Sequence, residues 1–94
     1  MAYIFVKNLN GTSDRNPPPG FSSWKDYWEQ NKRREFSYCS SKNCSSLATV
    51  GAHVQKAYSN DMHWYIVPLC NACNNKSSDE VFQVSEADLV AVNP

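Results

Sequence analysis

Glycine is scarce in this chain of 94 residues, with 3 in all, and proline stops at 5. So little of either excludes a collagen-like or low-complexity chain. The glycines stand apart, at positions 11, 20 and 51, so there is no glycine-rich loop to cradle a phosphate. No apolar run approaches the ~18 residues that a membrane helix needs. The opening stretch, Met1 to Lys7, lacks the basic region, long apolar region and cleavage site of a secretory leader, so the expected location is the cytoplasm and no membrane partner is expected. Net charge is also missing: 9 basic and 9 acidic residues cancel, which excludes a strongly basic, nonspecific nucleic-acid coat protein. There are no internal repeats and no Ser/His/Asp set with recognisable spacing.

What remains is a globular composition, 41% hydrophobic and 13% aromatic, in a length that suits one domain over residues 1–94. A domain this small buries a modest share of its surface and often depends on a staple. The charges are also unevenly placed. Residues 1–58 carry eight Lys/Arg against four Asp/Glu, and residues 59–94 one against five, giving +4 and −4. That polarity fits either a positive face or ordinary sampling of eighteen charges.

The staple is sought among four cysteines, Cys39-Ser-Ser-Lys-Asn-Cys44 and Cys70-Asn-Ala-Cys73, two close pairs with 25 residues between them. In a reducing compartment the thiols stay free and serve better as metal ligands than as disulfides. A short Cys-x2-4-Cys turn lets two thiolates converge on one tetrahedral zinc, with backbone amides donating to the sulfurs. Four cysteines leave no open coordination position, so a zinc held by Cys39, Cys44, Cys70 and Cys73 is structural.

Along the chain, residues 3–6 predict a short strand, ended by the turn signal Asn10-Gly11. Pro17-Pro18-Pro19-Gly20 is a stiff extended connector, or alternatively a ligand for a proline-binding domain. Ser23-Trp24-Lys25-Asp26 has the form of a capping box with Asp in place of Glu and predicts a helix to about Lys32. Phe21, Trp24 and Trp28 then share one stripe. Eight of the twelve aromatics precede Cys39, so this segment is expected to build much of the core, with a base-stacking platform as the sharper alternative. Lys32, Arg33 and Arg34 at the helix end complement the helix dipole; with Lys25, Lys42 and Lys56 they are also the candidates for a nucleic-acid backbone contact.

Residues 48–54 and 63–67 favour strand and are joined across Tyr58-Ser59-Asn60-Asp61, which predicts a β-hairpin ended by Pro68. A short helix is expected from Cys70 onward, with Asn71 near its cap. Residues 81–84 alternate like an edge strand. A second capping pattern, Ser85-Glu86-Ala87-Asp88, precedes residues 89–92, which suit either a short helix or a last strand. The expected fold class is α+β: a small treble-clef zinc finger of knuckle, hairpin and helix, flanked by an N-terminal strand and aromatic helix and by a C-terminal strand or helix.

Cys39-x4-Cys44, Gly51-Ala52-His53-Val54 and Ile66-Val67-Pro68-Leu69-Cys70-x2-Cys73-Asn74-x-Lys76 together resemble the zinc-bearing HNH endonuclease (ββα-metal) family, over about 40 residues, 39–78. The resemblance implies that His53 is a general base activating water and Asn74 a ligand to a catalytic magnesium or manganese ion, distinct from the structural zinc. A near-neutral imidazole and a hard cation on the scissile phosphate suit that chemistry. Two positions depart from the family pattern. Ala52 replaces an acidic or histidine metal ligand, and Tyr65 replaces the Asn that orients the base. A hydrogen bond from Tyr65 to His53, or a ligand from His63 or Asp61, is the available substitute. The bland readings are a packed histidine at 53 and a helix-start asparagine at 74. The two function classes are thus a metal-dependent nuclease acting on DNA or RNA, active or weakened, and a noncatalytic zinc module that docks on nucleic acid or protein.

Overall fold

The computed structural model describes residues 2–9 and 16–92; the Asn10-Gly11 turn lies outside the described residues. Its two helices and five-stranded antiparallel sheet make the chain α+β. Strand β1 (Tyr3–Asn8) is followed by helix α1 (Trp24–Lys32), the hairpin strands β2 (Val50–Lys56) and β3 (Trp64–Leu69), helix α2 (Asn71–Asn74), strand β4 (Val81–Ser85) and strand β5 (Val90–Ala91). The order across the sheet is β4-β1-β2-β3-β5.

β1 runs two residues beyond the expected strand because Lys7 and Asn8 pair with Gln55 and Val54. Pro68 does not end β3, which continues to Leu69 with Pro68 opposite Gly51. The short β5 pairs only with Tyr65 and Ile66. Beyond β5 that side of β3 meets Ser40, whose N–H donates to Pro68 O at 2.9 Å, a bond that uses the proline carbonyl and needs no N–H from it. Of the two options for residues 89–92 the strand is realised, as β5; the capping pattern before it forms a 3-10 turn over Glu86–Asp88, and Ser85 caps nothing with its side chain.

α1 starts as its sequence dictates. Ser23 Oγ accepts from Asp26 N at 3.0 Å, and Asp26 Oδ2 accepts from Ser22 N at 3.0 Å, one residue earlier than in the usual box. The helix ends on Arg33 in the left-handed region, φ 57°. Its rings form core: Trp28 is 1% exposed, Tyr27 is buried, and Phe21 and Trp24 pack against them. The stripe is therefore occupied by the fold rather than free for bases.

Because strand side chains alternate and paired residues share a face, the sheet has two separate cores. One face carries Val6, Ala52, Val54, Val67, Leu69, Phe82 and Val84 against Cys39, Cys70 and Cys73. The other buries Ile66 and Val90 under Tyr27 and Trp28 of α1. Among the described residues the helix packs chiefly on β2, β3 and β5.

Candidate metal centre

The two cysteine pairs arrive from different directions. Residues 37–48 form a narrow ribbon in which Cys39 N donates to Ser46 O at 2.8 Å and Ala48 N to Ser37 O at 2.9 Å, with a tight turn where Cys44 N donates to Ser41 O at 3.1 Å. The ribbon is docked on the outer edge of β4 by Lys42 N to Gln83 O, 2.9 Å. The second pair begins where β3 stops. Cys70 is the N-cap of α2, and Cys73 lies one turn on, where a 3.6-residue repeat returns a side chain to the same side.

All four sulfurs lie within 4.8 Å of one another. Cys44 Sγ and Cys70 Sγ are 3.8 Å apart, and a tetrahedral ion with Zn–S bonds of about 2.3 Å sets its sulfur edges at about 3.8 Å. Donors point at the sulfurs: the amides of Cys70 and Ser41 toward Cys39, the amide of Ser46 toward Cys44, and the Ser41 side chain toward Cys73. Burial pushes the Cys39 thiol up to about 12 and the Cys73 thiol in the same direction, while the Ser46 amide brings Cys44 down to about 7. Buried thiolates of this kind are stable only around a cation, whose charge replaces the lost solvation. The donor set and geometry fit a zinc-sized ion with no position left for water or substrate.

One supporting residue was invisible to sequence reasoning. Asn8, 3% exposed, directs Nδ2 at three carbonyls at the end of α2: Cys73 O at 2.9 Å, Lys76 O at 3.1 Å and Asn74 O at 3.3 Å. It ties the second cysteine pair to the sheet from 65 residues away, and nothing in the local pattern around residue 8 announces it.

The residues proposed from the family resemblance are not brought together. His53 pairs with Ile66 and therefore faces α1, where its ring lies 4.7 Å from Trp24 and 5.9 Å from Trp64. Asn74 is on the other face, held through its carbonyl by Asn8. Ala52 faces the cysteines but is 3% exposed in the core. Tyr65 pairs with Val54, on the face away from His53, and its hydroxyl donates to Asp61. Asp61 also accepts from His63 Nδ1 at 2.9 Å and pairs with Lys56 at 3.3 Å, so Tyr65, Asp61 and His63 serve one another at the loop end of the hairpin.

The basic residues are dispersed and mostly engaged. Arg34 pairs with Asp88 and stacks 4.9 Å from the Trp28 ring. Lys25 lies 3.9 Å from Glu29, Lys56 is with Asp61, and Lys42 rests 5.3 Å from the Tyr3 ring. Lys32 is half-buried in the last turn, and Arg33 stands exposed at the helix cap. Among the described residues no helix is long and apolar enough to cross a membrane.

Comparison of the chain with models of protein families, with curated proteins and with solved structures finds no match.

Proposed function

We propose that this chain is a treble-clef zinc module of HNH-like type in which the metal is structural and the role is to bind nucleic acid rather than to cut it. The observation that carries the reading is the convergence of Cys39, Cys44, Cys70 and Cys73 at tetrahedral spacing from two distant segments. The ribbon, the β2–β3 hairpin and the short α2 follow one another in the order that a treble clef requires. Zinc supplies the cross-link that a small core lacks. The separation of His53 and Asn74 onto opposite faces disfavours a shared magnesium or manganese centre. Nucleic acid is the partner class favoured by the resemblance and by the excess of cations over residues 1–58; protein is the alternative partner.

The test is metal analysis of the full chain, followed by chelation and a plasmid-nicking assay in magnesium and in manganese. One zinc per chain, cooperative unfolding when it is removed, and no nicking above that of a His53→Ala control are expected. A cooperatively folded protein without metal, or intramolecular disulfides among the four cysteines, overturns the zinc reading. Nicking by the parent that His53→Ala abolishes without loss of zinc overturns the noncatalytic one.

A further inference from the structure

On the α1 side of the sheet, where α1 packs chiefly on β2, β3 and β5, β1 presents Tyr3, Phe5 and Lys7, the residues that alternate with buried Val6 and Asn8. Tyr3 is 42% and Phe5 45% exposed; both pair with β4, and the β2 ladder begins only at Val6. Beside Phe5 stands Tyr58, 83% exposed, its ring edge-on with centroids 5.6 Å apart. The same face of β4 carries half-buried Val81 and Gln83, while Ser85 of β4 and Gln55 of β2, also on this face, are buried. None of these side chains is a carboxylate. Lys7 continues the row at the next alternate position, and Lys42 reaches the Tyr3 ring from the outer edge.

We propose that this exposed cluster, Tyr3, Phe5 and Tyr58 flanked by Lys7 and Lys42, is a docking surface for single-stranded nucleic acid. The inference rests on the nucleic-acid reading above and moves the contact away from Lys32, Arg33 and Arg34. Tyr3 and Phe5 are two residues apart on one strand, about 7 Å. That is roughly twice the 3.4 Å base step, so two bases unstacked from each other each find a ring. Tyr58 walls the second position. Lys42 yields the Tyr3 ring face to a base while its ammonium stays in reach of the adjacent phosphate, and Lys7 meets the next one. Aromatic rings flanked by lysines are the chemistry that captures single strands with little sequence preference. A duplex, whose bases are already stacked, gains nothing from the rings.

The experiment uses the zinc-loaded full chain and fluorescently labelled single-stranded DNA and RNA homopolymers, with the duplex as comparison, read by anisotropy over a salt series. Single strands should bind more tightly than duplex. Phe5→Ala and Tyr3→Ala should each weaken binding about tenfold or more, and Lys7→Ala should lower the salt slope by about 0.7. Phe5→Trp should retain binding and Phe5→Leu should lose it, because the leucine keeps apolar bulk without a π-face. Zinc content and the unfolding midpoint of each variant show that the module is intact, so a failure of the platform is distinguishable from a failure of the zinc reading. Binding unchanged in Tyr3→Ala/Phe5→Ala, Phe5→Leu that binds like the parent, duplex preferred over single strand, or no binding by the intact parent at low salt each overturns the proposal.

Discussion

Gly51 and Trp24 are in contact through their backbones: a Cβ on Gly51 would lie 2.7 Å from the carbonyl carbon of Trp24 and 2.9 Å from the amide nitrogen of Lys25. The first turn of α1 thus rests directly on β2, which only a residue without a side chain permits. Gly51→Ala should force the helix away from the sheet and cost about 1–3 kcal/mol. A lower urea midpoint at unchanged m, with full zinc content, is the expected reading, since the cysteines lie on the opposite face.

Asn8 ties the sheet to the end of α2 and so to the second cysteine pair, and its loss should loosen that link. In Asn8→Ala the carbonyls of Cys73, Asn74 and Lys76 lose a shared donor, at a cost of about 1–3 kcal/mol. Asn8→Asp should be worse, because carboxylate oxygens then face carbonyl oxygens. Competition with a zinc chelator checks this: both variants should release metal at lower chelator concentration than the parent, with Asp ahead of Ala.

Arg33 and Arg34 are neighbours with opposite expectations. Arg33 holds φ 57° as a non-glycine residue at the helix cap, so Arg33→Gly should stabilise by about 0.5–1 kcal/mol. Arg34→Ala removes the Asp88 pair and the packing on Trp28. It should lower the melting temperature, by an amount limited by the exposure of the pair. Thermal unfolding of the two variants separates them by sign.

The hydroxyl of Tyr65, followed by the amide and ring N–H of His63 and the Lys56 ammonium, holds the Asp61 carboxyl below the usual carboxylate range. The same hydrogen bond pushes the Tyr65 phenol up. A folded pKa below the unfolded value of about 3.9 means that this carboxylate stabilises the fold above that pH and ceases to do so as pH falls from there toward the folded value. NMR titration of the Asp61 carboxyl should show the depressed value directly, and Tyr65→Phe should move it back toward the ordinary one.

Ala52 gives a further expectation. It lies in the core beside the cysteines and is 3% exposed. Ala52→Asp should therefore destabilise the protein by more than about 2 kcal/mol, through an unpaired buried carboxylate, rather than create activity. Denaturation of the variant beside its nicking assay distinguishes the two.

Local rules were legible in the chain itself. The Ser23 cap and the end of α1 near Lys32, the hairpin around residues 58–61, and the pairing of Cys39 and Cys44 with Cys70 and Cys73 all depend on residues a few positions apart or on ligand chemistry that tolerates one geometry. These readings needed no knowledge of what lay across the sheet. Pro68 is the exception: β3 continues past it to Leu69, because Ser40 alongside bonds its carbonyl and not its missing N–H, a contact made by a segment distant in sequence.

Facing was decided by tertiary structure. A strand residue's side is set by register, and a shift of one position exchanges core for solvent. His53 and Ala52 therefore look interchangeable in sequence, yet one is sealed beneath Trp24 and the other against the cysteines. Aromatic content likewise gave no distinction between Trp28, which fills the core, and Phe5, which remains open to solvent. The difference arises because α1 packs chiefly on β2, β3 and β5. The sequence by itself set two cysteine pairs at metal-ligand spacing; the placement of one nine-residue helix decided which aromatics are buried and which stay exposed.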